Sequence, residues 1–253
     1  MIDLRQGDCL KLMKDIPDKT VDCIITSPPY NFNMNYEKYI DNKEWEDYFK
    51  WLKQVWEEAY RVLKDDGRLI VNIQPLFSEY IPTHHIISND ILKVGFKWKA
   101  EILWEKNNYN CKYCSWGSWK SPSSPYMKYT WEFIEVYCKQ DYKHIGKKED
   151  IDITADEFKK LVLSKWSFAP EKNMKNYGHP AMFPEELPYR CLKLFTYKKD
   201  VVLDPFMGTG TVGVVAKKLN RNFIGIEIDE KYFEIAKQRI SRTEEVTTIF
   251  DYL

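Results

Sequence analysis

Short apolar runs alternate along the chain with stretches in which apolar residues return every third or fourth position. "IDLRQGD" reads as a first strand, "KLMKDIPDKT" as a helical turn and loop, and "VDCIITS" as a buried strand. Across "NKEWEDYFKWLKQVWEEAYRVLKDDG", Trp45, Tyr48, Phe49, Leu52, Val55, Trp56, Ala59, Tyr60 and Leu63 recur at helical spacing. Asp41 and Glu44 make a box-like pair at that helix's start, and Gly67 is its expected stop. "RLIVNI" follows as a strand, a helix is expected within "THHIISNDILKVG", and "FKWKAEILWEK" reads as a further strand.

From Asn107 the pattern breaks. "NNYNCKYCSWGSWKSPSSPYMK" mixes Asn, Ser, Gly, Pro and aromatics without a sustained period, as an exposed loop does. "WEFIEVYCK" restores a strand, and "TADEFKKLVLSKW" opens with a Thr-x-x-Glu capping box ahead of an amphipathic helix. The last third, from "EELPYRCLKLF" through "EKYFEIAKQRI", alternates helix and strand, which implies parallel strands joined by crossover helices. The expected fold class is α/β: a doubly wound, mostly parallel Rossmann-like sheet. Residues 1–106 and 179–253 form its two halves, and 107–178 is an inserted or appended recognition region.

At 253 residues and 44% apolar content the chain can bury a real core. No run approaches the ~18 apolar residues of a membrane span, and the N-terminus has no signal-like segment, so a cytoplasmic location is expected. Six cysteines, mostly in apolar runs, read as reduced thiols. Only Cys111 and Cys114 have metal-ligand spacing; no second C-x-x-C or H-x₃₋₅-H pair completes a site, and no metal is expected.

Lysine plus arginine (38) equals aspartate plus glutamate (38), so no overall cationic field announces a polyanionic partner. The balance is local. Between Lys97 and Lys148 there are ten lysines against five acidic residues, interleaved with Tyr109, Tyr113, Trp116, Trp119, Tyr126, Tyr129 and Trp131. This is the candidate surface for phosphate contact, with Lys112, Lys120 and Lys128 as cations and Trp116 and Trp119 as aromatic contacts. A solvated lysine-rich loop over a half-exposed aromatic cluster is the plainer alternative.

Two motifs carry chemistry. "VVLDPFMGTGT" is a buried strand running into Asp204, Gly208 and Gly210, at the strand end where α/β sheets bind ligands. The next strand, "NFIGIEI", ends in Glu227, 17 residues after Gly210, where a carboxylate could hold both hydroxyls of a ribose. Gly213 falls three residues after Gly210, so a nicotinamide cofactor stays open on glycine spacing alone. The second motif, "TSPPYNF", sets two prolines and an aromatic ring directly after the buried strand "VDCIITS".

"DPFMGTGT", an acid ending the next strand, and "TSPPY" together resemble the S-adenosylmethionine-dependent DNA amino-methyltransferases. "TSPPY" precedes the glycine motif, as in the permuted beta group, and "GDCL", "EAYRVLKDDGRLIVNI", "GSWKSPSSP" and "HPAMFPEELPYRCL" extend the resemblance over most of the chain. The resemblance implies S-adenosylmethionine as cofactor, with Asp204, Phe206, Gly208, Gly210 and Thr211 lining its methionine end, Glu227 on the ribose and Asp8 beside the adenine. For Asp8 the alternative is a turn carboxylate at a strand end. The implied partner is double-stranded DNA within a restriction-modification system, with a homodimer and a cognate restriction endonuclease as further candidate partners.

The double proline then has a reason. An exocyclic amine is a poor nucleophile because its lone pair is delocalised into the ring, and acceptors fixed out of plane would localise it. Pro28 and Pro29 restrict the backbone so that Ser27 and the Pro28 carbonyl aim at one spot, and Tyr30 offers a stacking face for a flipped base. Ser27, Pro28, Pro29 and Tyr30 are the expected catalytic residues. The family's adenine enzymes mostly carry Asp at the first motif position, so Ser27 favours cytosine N4 over adenine N6; a hydroxyl also both donates and accepts. Readings in other classes are a nicotinamide-dependent oxidoreductase, a catalytically silent DNA-recognition subunit, and methylation of RNA or a protein amide.

Overall fold

The computed structural model describes residues 1–29, 35–36, 39–40, 44–75, 81–107, 117–172, 174–177 and 182–244. In chain order the elements are β1 (Ile2–Gln6), α1 (Cys9–Leu12), β2 (Val21–Thr26), β3 (Asn35–Tyr36), β4 (Tyr39–Ile40), α2 (Trp45–Val62), β5 (Leu63–Ile73) and α3 (Thr83–Val94). They continue as β6 (Lys97–Glu105), β7 (Trp131–Cys138), α4 (Ala155–Leu161), β8 (Lys165–Ser167), α5 (Met174–Tyr177), α6 (Glu186–Phe195), β9 (Val201–Asp204), α7 (Thr211–Lys218), β10 (Asn222–Glu227) and α8 (Glu230–Arg242).

Eight strands form one sheet in the order β1-β10-β9-β2-β5-β7-β6-β8. From β1 to β5 every pairing is parallel; β7 lies antiparallel between β5 and β6. Successive residues face opposite layers. Ile24, Leu69 and Leu203 join α1, α2 and α3 on one side, while Ile25, Ile70 and Val202 join α6, α7 and α8 on the other. The α/β class is as expected.

Strand order reverses between β9 and β2: from β9 the chain moves outward to β10, and from β2 it moves the other way to β5. Ligands of open α/β sheets bind at such a switch point, outside the carboxyl ends of the strands. Asp204 and Ser27 stand there. No helix among the described residues is long and apolar enough to cross a membrane.

Two local expectations need correction. Helix α2 ends at Val62 rather than near Gly67, because Leu63 already pairs with Val21. "KDDG" then bulges before Arg68 resumes opposite Cys23, and Gly67 sits where a Cβ would lie 2.9 Å from the Lys64 carbonyl oxygen. Glu44 is the N-cap of α2 but makes no side-chain capping bond, and Asp41 lies outside the described residues. Within 107–178 the chain supplies the interior strand β7 and the edge strand β8 of the same sheet. The capping box of Thr154 and Glu157 forms as read.

Candidate active site

The glycine loop is built by its own backbone. Gly208 (φ +53°) and Gly210 (φ +83°) adopt the left-handed region that glycine enters without penalty, and Gly210 begins α7. A Cβ on Gly210 would meet Ala236 Cβ at 2.9 Å and Ile240 Cδ1 at 3.1 Å. This glycine therefore permits the close approach of α8.

Two carboxylates frame the loop. Asp204, 2% exposed, accepts from the Thr26 hydroxyl at 2.7 Å and from the Phe206 N–H at 3.0 Å. Burial pushes its pKa up to about 7 against those hydrogen bonds, and the charge of Glu227 adds to the rise. Glu227 accepts from the Gly208 N–H at 2.7 Å and the Asp229 N–H at 2.8 Å; burial raises its pKa as well. Each of its oxygens keeps a second lone pair for another donor. Gly7 donates its N–H to the Glu227 carbonyl at 2.8 Å, which places Asp8 beside that strand end. Asp8 itself caps α1, accepting the Leu10 N–H at 2.9 Å.

Arg239 of α8 braces the loop from behind. It donates to the Thr209 carbonyl at 2.8 Å, to the Thr209 hydroxyl at 3.0 Å and to the Thr211 hydroxyl at 3.4 Å, while its guanidinium stands over the Tyr177 ring at 4.6 Å.

The proline loop begins one residue beyond β2. The Ser27 hydroxyl donates to the Asn72 carbonyl at 3.0 Å, Pro28 is buried, and the Pro29 carbonyl accepts the Tyr48 hydroxyl at 2.7 Å. Three residues on, Trp51 packs against Phe206 with ring centroids 5.7 Å apart. One face of α2 thus holds both loops. The Thr26–Asp204 bond joins them directly, across 178 residues of sequence. Tyr30 lies outside the described residues.

Farther along the rim, Asn72 donates its side-chain N–H to Glu132 of β7, which is ion-paired with Lys106 at the end of β6. Between β6 and β7, Gly117 bridges Pro125, and Ser118 Oγ accepts the Ser124 N–H at 2.9 Å, closing a small hairpin. It carries Trp119, 65% exposed, with Lys120 Nζ 5.6 Å from its ring centroid. Lys128 is half-buried. Lys112, Trp116, Cys111 and Cys114 lie outside the described residues.

The sequence reading missed Tyr48, Trp51, Asn72, Lys106, Glu132 and Arg239. Helical periodicity absorbed the two aromatics of α2 into a generic apolar face. Asn72 did leave a signal, as the one polar residue inside the apolar run "LIVNI".

The family model of the N6/N4 DNA methylases matches residues 21–238, and the chain belongs to that family. Type II methyltransferase M.BglII of Bacillus subtilis is 30% identical over 248 residues, covering 93% of this chain and 68% of that protein. M.MjaVI of Methanocaldococcus jannaschii is 38% identical over 160 residues, covering 62% of this chain and 81% of its own. Among solved structures, a protein of Thermus thermophilus described as a DNA modification methylase superposes with a TM-score of 0.78 at 26% identity, over 98% of this chain and 100% of that one. Its complex with S-adenosyl-L-methionine superposes at 0.76 and 25% identity, over 96% of each chain.

The protein is a DNA amino-methyltransferase, and S-adenosylmethionine is its cofactor. The oxidoreductase alternative falls with that assignment. The residues present fit the cofactor's charge. Among the described residues neither Asp204 nor Glu227 has a cationic side chain in ion-pair reach, so two buried carboxylates await positive charge of the kind that the cofactor's sulfonium and ammonium groups carry.

Proposed function

We propose that the chain methylates cytosine N4 in double-stranded DNA as the modification enzyme of a type II system, acting on a base flipped out of the helix. The observation that carries this reading is Ser27 at the switch point, beside the glycine loop and in the motif position where the resemblance associates serine with cytosine N4. The names of the type II relatives support the modification role, for which a cognate nuclease would be the partner.

The bound cofactor supplies a methyl group on a positively charged sulfur. The chain's own residues would do the rest. The Ser27 proton is donated to the Asn72 carbonyl, so toward a base the hydroxyl presents lone pairs. With the Pro28 carbonyl it would accept the two amine hydrogens out of the ring plane and free the nitrogen lone pair for attack. Tyr48 and the two prolines hold those acceptors still, so little reorganisation accompanies reaction. Tyr30 would stack the base, worth ~1–3 kcal/mol, against the few kcal/mol that flipping costs. Asp204 and Glu227 would hold the methionine and ribose ends of the cofactor. Trp119, Lys120 and Lys128, with Lys112 and Trp116, would grip the duplex.

Because the Ser27 proton is committed to Asn72, the serine's capacity to donate does not separate the two bases; its place in the motif does. Digestion of enzyme-modified plasmid to nucleosides, read by mass spectrometry, is expected to show N4-methylcytosine. N6-methyladenine in its place would sink the cytosine assignment.

A further inference from the structure

Asn72 is 3% exposed and sits two residues after Ile70, as Ser27 sits two after Ile25; both isoleucines face the core layer of α6 and α7. By strand alternation Asn72 and Ser27 therefore occupy the same face of the sheet at the same rim. They touch there, through the Ser27 hydroxyl on the Asn72 carbonyl. The Asn72 side chain is fixed from the other side. A carboxylate offers no hydrogen, so the nitrogen branch of the amide must face Glu132, which Lys106 holds in place. The oxygen branch diverges from it by about 120° in the planar amide.

That oxygen, Oδ1, is buried and has no hydrogen-bond partner among the described residues. A buried acceptor left unpaired destabilises the folded chain, and such orphans in a native structure call for a reason. An N–H brought by a ligand would relieve it.

We propose that Asn72 Oδ1 is a substrate-binding atom. It shares with Ser27 Oγ, as a three-centre hydrogen bond, the amine hydrogen of the flipped base that points toward β5. Lys106 and Glu132 are positioning residues that set the amide with its oxygen toward the base. This rests on the amino-methyltransferase reading, because an exocyclic amine is the part of a base that offers two N–H groups on one nitrogen.

The test uses the full chain, tritiated S-adenosylmethionine and an unmethylated phage genomic DNA, with cofactor affinity by calorimetry and apo stability by thermal denaturation alongside. Asn72→Leu removes both branches of the amide. Single-turnover methylation is expected to fall about tenfold to a hundredfold, with cofactor affinity within about twofold of wild type and a lowered melting temperature, since Glu132 loses its amide donor. Asn72→Asp alone sets two carboxylates against each other and should also be slow. Combined with Glu132→Gln it reverses donor and acceptor: the new carboxylate takes an amide N–H from position 132 and presents its second oxygen where Oδ1 stood. That pair is expected to recover most of the lost rate, and it keeps the test open if the leucine variant fails to fold.

Leucine-variant turnover within twofold of wild type would overturn the proposal. So would a double variant that folds and binds cofactor yet is no faster than Asn72→Leu. If wild type itself transfers no label to DNA, the methyltransferase reading fails instead, and the two failures are told apart.

Discussion

The two rims of the sheet treat buried charge in opposite ways. At the amino ends of the parallel strands every large buried cation is matched. Arg221, with a fully buried side chain, makes a bidentate pair with Asp152 and donates to the Thr196 hydroxyl and carbonyl and to the Leu219 carbonyl. Arg68 donates to the carbonyls of Asp66, Gly67, Asp141 and Tyr142. His144 bridges Asp66 at 3.1 Å and Asp200 at 2.8 Å. At the carboxyl ends, Asp204 and Glu227 lie buried with no cation in reach among the described residues, and Asn72 Oδ1 has no partner there. The buried cations of one rim are matched as folded, whereas the other rim carries two buried carboxylates left in deficit for ligands to fill. Buried polarity thus separates structural from functional charge by whether it is already satisfied.

The contrast breaks hardest at Arg221. Arg221→Met should cost about 3–5 kcal/mol in chemical denaturation, because Asp152 loses its bidentate partner in a poorly solvated place and keeps only Lys193 at 3.8 Å. Cofactor affinity of the folded fraction should not change. At the other rim Asp204→Asn should do the reverse: stability is held or raised, since a buried carboxylate is removed, while affinity for S-adenosylmethionine falls at least about tenfold, or ~1.4 kcal/mol. A loss of stability with affinity intact would erase the distinction between the rims.

Between these in kind, and smaller, is Arg239→Gln. Calorimetry should register a several-fold loss of cofactor affinity as the threonines of the glycine loop lose their brace, with the apo protein losing only about 1 kcal/mol.

The pH dependence separates the rims again. For His144, burial alone would lower the pKa, but the hydrogen bond and charge of Asp200, with Asp66 and Asp22, raise it above 6.5. Its stabilisation is complete below pH 6.5 and is lost as pH rises through the folded value. The Asp204 pKa is raised from 3.8 to about 7, so the folded state binds the extra proton and stability also declines across that interval. Saturating cofactor, which favours the ionised form, should cancel the Asp204 decline and leave that of His144, and cofactor affinity should rise with pH toward about 7. Parallel melting curves with and without cofactor, repeated on His144→Asn, would expose a failure of either half. The smallest effect belongs to the hairpin surface: Lys120→Gln with Lys128→Gln should flatten the salt dependence of DNA binding by about 0.9 for each phosphate that is no longer neutralised.

The two loops at the candidate site were legible because they need residue types that few other tasks require: paired prolines after a buried strand, and glycines at positive φ before a helix. The elements themselves followed from period. What period could not supply was partnership across the chain. "KDDG" has turn chemistry, yet Leu63 is drawn into the sheet by Val21, and that long-range pairing outweighs the local signal. Strand β7 was recognised as a strand, but nothing local says that it enters antiparallel between two strands that precede it. Tyr48 and Trp51 repeat at the spacing of any buried face, so their grip on the two loops shows only in three dimensions.

The hydrogen bond from Thr26 to Asp204 would make the proposed methyl-donor and base pockets thermodynamically dependent on each other. A hydroxyl bonds more tightly to a carboxylate than to a carboxylic acid. A cation that holds Asp204 ionised therefore stiffens the end of β2, one residue before Ser27. Coupling of this kind is reciprocal: whatever factor the methyl donor adds to the affinity for DNA, DNA adds to the affinity for the donor. Transfer turns the sulfonium into an uncharged thioether and removes one of the two positive charges that would sustain the coupling, the ammonium remaining. The spent cofactor would thus loosen the grip on the base it helped to hold, and turnover would acquire its direction from a single shared proton.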